Sequence, residues 1–458
     1  MNQNNKLTFK HKLGYSLGDA GGCMTFALMG STFAMYCTDA LKIDPALLAI
    51  LWLIWNIWDF INDPLMGALM DKSFAKSKNP KGKFRPWLLR SAPLVCITFI
   101  ALWSVPQFFD GLSLLCCLFG LKILYEGTYT MFNIPMGSLL SAMSNDDEER
   151  ASLSSARGIG SGIGNMLPMV IMPQLIKLYG QTNATGYAIG AVICGVIGFI
   201  MCFFHYKLTE ERNIIDDTKE VQEVKILDIL NVFRVNKPFL ALCVHGLFIC
   251  LMQYISNTLN NYIYSSVLGD LSLLSYGTAL SAPFMVLIFV FGSKLAKKLE
   301  LVKLIRYSLL IGSLLYVGLF ALHMITDVNP WVHIIVSGVA MGIASVSIYL
   351  QWGLVGDAID YNEEITNKRT EGSIYGTFNL SRRVGQTIGN SGALLLLSLI
   401  GYNPDSLIQT DMTITGLKTI GVLLPGIFIL GSWAAFKFLW KMNRRPKTIE
   451  VKENDSVL

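Results

Sequence analysis

The sequence predicts an all-α polytopic membrane protein of twelve transmembrane helices in two bundles of six, and three observations carry that prediction. Hydrophobic residues fill 52% of 458 positions and charged residues only 15%, with a mean hydropathy of +0.48; a soluble enzyme has a different balance. Apolar stretches near the ~20 residues that cross a bilayer recur along the whole chain. The 40 glycines suit closely packed membrane helices. The net charge of +5 is spread among short loops, so membrane topology accounts for it and nucleic acid is not an expected partner.

Helix one, over 13–38, follows Lys6, Lys10, His11 and Lys12 and lacks a small-residue cleavage site, so it reads as a retained span rather than a signal peptide. Gly, Pro and charge punctuation then places helices at 45–70, 87–106, 112–143, 151–178 and 184–207. A charged connector over 208–237 separates this first bundle, 1–207, from a second, 238–458, which ends in a short tail. Its helices are expected at 238–267, 271–296, 303–325, 330–356, 372–400 and 414–440. With both termini inside, the basic clusters of 72–85, 294–306 and 437–447 are cytoplasmic, and only Lys42, Lys177 and Lys418 fall outside. The nine cysteines sit in or beside apolar runs without metal-ligand spacing and read as reduced packing residues.

The halves echo each other. Ser155-Ala156-Arg157 leads into Gly164-Asn165, and Ser381-Arg382-Arg383 leads into Gly389-Asn390 at nearly equal spacing. Six-plus-six duplication around a central loop is the expectation for major facilitator transporters, with a site between the bundles near the bilayer midplane.

Polar residues inside these spans are costly and therefore informative. Asp59 and Asp63 lie about 14 and 18 residues inside helix two, too deep to snorkel, and share one third of the helix circumference with Asn62. Three oxygen-bearing side chains so placed can hold a hard cation, with Na⁺ possible at Asp59 and Asp63. Two close acids can instead share a proton, and a structural salt bridge to a neighbouring helix is the third reading. Helix four carries Lys122, Glu126, Thr130 and Asn133 within about 80° of arc. Thr130 matches Asp63 in depth and can complete the cation site. Lys122 and Glu126 read as a self-neutralising i,i+4 pair ahead of direct substrate contact. Arg157 and its counterpart Arg383 need a carboxylate or a polar ligand, and a guanidinium offers parallel donors to sugar hydroxyls or a uronate. Tyr15 and Trp352 are candidate stacking rings.

The glycines from Gly158 to Gly164 follow no strand and serve helix packing rather than a nucleotide. Without a phosphate-cradling motif an ATP-driven pump is not expected, and without a nucleophile, base and orienting group neither is catalysis.

Several motifs, in order, resemble the glycoside-pentoside-hexuronide:cation symporters of the major facilitator superfamily: GYSLGD at 14–19, WDFINDP at 58–64, GKFRP at 82–86, NIPMGSL at 133–139, SARG at 155–158 and RTEGSIY at 369–375. The likeness runs from Gly14 to about Tyr402. It implies cation positions at Asp59, Asn62, Asp63 and Thr130 and sugar contacts at Asn133 and Arg157, with Asp19 in the first motif beside them. Arg383 stands where melibiose permeases have lysine. Asn133 and Gly137 stand where those permeases carry an aspartate and a tryptophan, which points away from melibiose, and the motifs of helices ten and eleven are more similar to those of glucuronide and xyloside permeases. The implied activity is symport of a sugar with Na⁺ or H⁺, without other cofactor, by a monomer in the lipid bilayer of a cell membrane. Uncoupled facilitation and sugar sensing on the same scaffold are the rivals. The chain reaches Leu458 shortly after helix twelve, so no C-terminal phosphotransfer regulatory domain is expected. Arg150, Asp357, Asp360, Glu363 and Arg369 are expected to form cytoplasmic gate ion pairs.

Overall fold

A computed structural model describes residues 7–76, 82, 84–144, 146–212, 236–280, 283–284, 287, 300–366, 371–404, 406 and 408–441. These residues form the twelve expected helices. In the first bundle, α1 is Phe9–Ser31 continued by Phe33–Met35 and a π-helical turn at Tyr36–Ala40. It is followed by α2 (Pro45–Lys76), α3 (Arg85–Ser104), α4 (Gly111–Met143), α5 (Asp147–Tyr179) and α6 (Ala184–Leu208). In the second, α7 is Lys237–Tyr262 with a π-helical turn at Ile263–Val267, and α8 is described over 273–280. Then come α9 (Leu301–Ile325), α10 (Pro330–Thr366), α11 (Glu371–Leu399) and α12, made of Asp411–Lys418, a π-helical turn Thr419–Leu423 and Leu424–Phe438. Most of the 208–237 connector lies outside the described residues.

Most ends fall within a few residues of expectation, α2 and α10 run on further, to Lys76 and Thr366, and the differences at α5 and α10 have local causes. Helix α5 starts early because the Asp146 carboxylate caps it, accepting from the Glu149 backbone N–H at 2.9 Å. Helix α10 runs ten residues past 356 because Asp357, Asp360 and Glu363 continue it beyond its apolar part, which hydropathy alone does not follow. Proline at 93, 135, 168 and 173 is carried inside helices, as neighbouring membrane helices permit.

By length and apolarity, eight of these helices can cross a membrane: α3 to α7, α9, α10 and α12. Helices α1 and α11 are not among them, and each carries charged residues well inside its length, Asp19 on α1 and Arg382 and Arg383 on α11. Lipid-facing positions show the opposite chemistry: on α2, Ile50, Leu53, Ile57, Ile61, Leu65 and Leu69 are exposed at helical spacing.

The two halves repeat one packing scheme. Helix α1 packs on α5 and α6 as α7 packs on α11 and α12, and α3 packs on α4 and α6 as α9 packs on α10 and α12. The α1–α5 contact is close because Gly160 and Gly164 have no side chain. A Cβ there would sit 2.0 Å from the Ser16 carbonyl oxygen and 2.3 Å from that of Ala20, so the glycine run is a helix-packing surface.

Helix α1 begins at one face of the molecule, the near face, and ends at the other, the far face. At the far face the bundles are sewn together. Thr38 Oγ1 lies 2.8 Å from Tyr262 Oη, Asn261 Nδ2 donates to the Ser31 carbonyl at 2.9 Å, and Lys42 Nζ donates to that of Pro404 at 2.6 Å. Lys177 Nζ pairs with Asp270 at 2.7 Å, and Ser275 Oγ donates to the Val170 carbonyl at 2.8 Å. The apolar core of the first bundle continues across this seam to Tyr262, Leu397 and Tyr402 of the second. The remainder of the second bundle has its own core around Phe239, Leu309, Phe378 and Phe436.

Candidate functional site

Below the seam the bundles part around a cavity of about 190 Å³. The first bundle lines it with Phe26, Asn56, Asp59, Glu126, Tyr129, Thr130 and Asn133, the second with Arg383, Gln386 and Thr387 of α11. Helix α2 brings Asp59 to this wall because its other side is the apolar lipid face. Asn62, one turn on, is buried and its Nδ2 donates to Thr130 Oγ1 at 2.9 Å. That bond holds α2 and α4 together at the height inferred from counting residues. Asp63 continues the Asp59 face of the helix, but its side chain lies outside the described residues.

On α4, Lys122 and Glu126 form an ion pair, both buried. The Lys122 ammonium also lies 5.9 Å from the Trp55 ring and 5.7 Å from that of Tyr125, so the charge sits among aromatic faces. Lys122 is not among the cavity-lining residues, whereas Glu126 is. The pair is thus a buried neutral unit with its carboxylate end at the cavity. Asn133 is exposed on the same wall.

Arg157 of α5 donates from Nε to Asp19 of α1 at 3.1 Å. Its side chain remains 39% exposed but is not among the cavity-lining residues, and a Cβ on Gly137 would lie 4.0 Å from its terminal nitrogen. A tryptophan at 137 would fill that space. Tyr15 is fully buried and its hydroxyl donates to the Met136 carbonyl at 3.3 Å. It presents no ring face to a ligand here, a correction to its reading as a stacking platform. Trp352 lines neither hollow described here; its ring lies 5.2 Å from the Arg382 guanidinium and edge-on to Phe378.

Arg383 is shared with a second hollow of about 490 Å³ on the same side of α11, lined also by Tyr254, Asn379, Arg382 and Gln386. These residues escaped the first reading although 379, 382, 383 and 386 have the i, i+3, i+4, i+7 spacing of one helix face. Asp39 escaped it too. At the far seam its buried carboxylate accepts from Thr38 Oγ1 at 2.7 Å, from Tyr402 Oη at 3.0 Å and from the Gln181 side-chain amide.

Of the gate residues, Arg369 and the side chain of Arg150 lie outside the described residues. Asp357 and Glu363 are half-buried and engaged, and Asp360 is exposed. The near face shows other ties. Glu149 accepts from Ser144 Oγ at 2.6 Å and the Leu7 N–H at 2.7 Å, which hold its carboxyl below the usual range. Glu211 accepts from the N–H groups of Phe84 and Arg85, both at 2.8 Å.

The family described as MFS/sugar transport protein matches residues 14–444. A relative named uncharacterized symporter YjmB, of Bacillus subtilis, is 27% identical over 438 residues, covering 95% of this chain and 93% of the relative. A glucuronide carrier protein homolog of Escherichia coli is 29% identical over 456 residues, covering 95% and 93%. Among solved structures, a bacterial homolog of the human lysosomal transporter Spinster, inward-facing and occupied, superposes with a TM-score of 0.64 at 12% identity, covering 94% of this chain and 96% of that one. This likeness shows the fold. The chain belongs to the sugar-transport family of the major facilitator superfamily, and it is a multi-pass membrane transporter.

Proposed function

We propose that this sugar transporter is a cation-coupled symporter that carries a glycoside, pentoside or hexuronide into the cell by alternating access. One observation carries the reading: a membrane-embedded carboxylate, Asp59, lines the same cavity as the polar groups that a sugar would meet, Asn133, Arg383 and Gln386. Charge at Asp59 and sugar occupancy therefore act on one another over a few ångströms. A cation or proton there neutralises the acid and lowers the cost of enclosing it, which favours closure around a loaded site. Asn62 and Thr130 supply the remaining oxygens. The relatives' printed names, symporter and glucuronide carrier homolog, point the same way.

In this scheme the near face is cytoplasmic, as the distribution of basic residues favours, and a sealed far seam corresponds to a cavity closed to the outside. The transporter works as a monomer in the cell membrane. Uptake of labelled glycosides, pentosides and hexuronides into proteoliposomes, under separate Na⁺ and pH gradients, tests the proposal. Accumulation against the sugar gradient driven by one of the two supports it; equilibration alone, with or without either gradient, makes the protein a facilitator.

A further inference from the structure

We propose that the second-bundle wall of the cavity is an anion subsite, formed by Asn379, Arg382 and Gln386 of α11, that takes the carboxylate of an acidic sugar such as a hexuronide. This inference rests on the sugar-symport reading and narrows it to one substrate class.

The cations near the cavity differ in how they are balanced. In the first bundle every described cation near the cavity has an acid: Lys122 has Glu126, and Arg157 has Asp19. Arg383 faces the wall that carries Asp59 and Glu126. Arg382 breaks the pattern. Its guanidinium lies over the Trp352 ring at 5.2 Å, its Nε is buried without a hydrogen-bond partner, and among the described residues no carboxylate pairs with it. A guanidinium stays charged at any accessible pH, so a half-buried one inside a membrane span favours a bound counter-charge.

The hollow beside Arg382 has the chemistry to receive that counter-charge. Its lining offers two guanidinium groups, the amides of Asn379 and Gln386 and the phenol of Tyr254, and among the described residues it includes no acid. Residues 379, 382 and 386 share one face of α11, so their donors converge. Arg382 lies eleven residues into its helix, about 16 Å from the end, deep enough that lipid headgroups do not reach it. The site also shares Arg383 and Gln386 with the cavity that holds Asp59. A sugar lying across both would place its carboxylate on the arginine wall, away from the acids, and its hydroxyls toward Asn133. A neutral sugar offers Arg382 hydroxyl oxygens but neither the negative charge nor the bidentate pairing of a carboxylate.

Binding of methyl glucuronide and methyl glucoside, in both anomers, to the full chain in lipid nanodiscs tests this by calorimetry, alongside proteoliposome uptake of the same sugars. The glucuronide is expected to bind at least about tenfold more tightly, the step a charged hydrogen-bond pair supplies. Arg382→Gln should bring the two within about threefold, and Arg382→Lys should keep part of the preference; size-exclusion profiles of each variant establish that it is folded. A preference for the neutral glycoside, or an Arg382→Gln effect equal on both sugars, overturns the anion subsite while leaving sugar symport standing. If excess inorganic sulfate competes with both sugars equally, the site holds free anions and the assignment fails as well. If neither sugar nor any other glycoside, pentoside or hexuronide binds or is taken up, the symport reading falls and the subsite with it.

Discussion

The seam between the bundles is built in two different ways along its length. At the far face, side chains of the two halves bond across to each other: Asp39 accepts from Tyr402, Asn261 donates to the Ser31 carbonyl, and Lys177 pairs with Asp270. In the middle, each half mostly satisfies its own, Lys122 with Glu126 and Arg157 with Asp19, and the space between is left for something else. A contact made across the seam costs free energy to open, whereas one made within a bundle travels with it. The far seam therefore sets which state is populated, and the middle sets what the change of state carries.

Mutations can break this comparison at either end. The largest effect is expected at Asp59→Asn: accumulation driven by Na⁺ or pH should fall to simple equilibration while sugar exchange persists in part. Loss of exchange with retained accumulation would refute the assignment. Next, Lys122→Met strands Glu126 and should destabilise the protein by about 3 kcal/mol, read as a lower Tm in detergent. The double variant Lys122→Met with Glu126→Gln should recover most of it, and equal Tm values for single and double variants would show that the pair is not a unit. Asp39→Ala removes the acceptor of the Tyr402 bond across the far seam, together with two bonds inside its own bundle, and should shift the population toward the far-open state by about tenfold, roughly 1.4 kcal/mol. Labelling of cysteines placed in the cavity from the far side reads this out, and Tyr402→Phe should give a smaller shift of the same sign.

The smallest effect belongs to Lys177 and Asp270, half exposed and worth about 0.5 kcal/mol. Partial burial works to raise the Asp270 carboxyl, but hydrogen bonds from Lys177 and Ser272 outweigh it and hold the group below its ordinary 3.8. A depressed carboxylate contributes above that ordinary value and loses its contribution only as pH falls through the lower, folded value. Acidifying from pH 8 to pH 5 should thus leave this tie intact, and a change in far-side labelling over that range would have to come from another group. Lys177→Ala should roughly double far-side labelling at any pH in that window.

How far the sequence could be read depended on what each residue had to be compared with. Helices α4, α6 and α7 were plain because apolar length is a local property. Asn62 and Thr130 could be matched because depth along two helices is countable from their ends, and their side chains meet at 2.9 Å. Lys122 and Glu126 needed only i,i+4 spacing. Asp39 gave no such signal, since an acid closing an apolar run is the ordinary chemistry of a membrane surface. Its burial arises from Tyr402 and Gln181, which are remote in sequence. The stripe of Asn379, Arg382 and Gln386 is countable by helical spacing, but only Arg383 has a counterpart in the first half, Arg157, to mark it. Tyr15 shows the converse error, an aromatic ring credited with a ligand when the α4 backbone had already claimed it.

The bare backbone contact at Gly160 and Gly164 has a mechanical meaning. With no side chain between them, α1 and α5 have nothing that can repack, so they must move as one piece, like two rails of a single ladder. Arg157 and Asp19 are rungs of that ladder. Their ion pair rides through every swing of the bundle unbroken, and so cannot be the bolt on either door; that work falls to bonds that span two ladders.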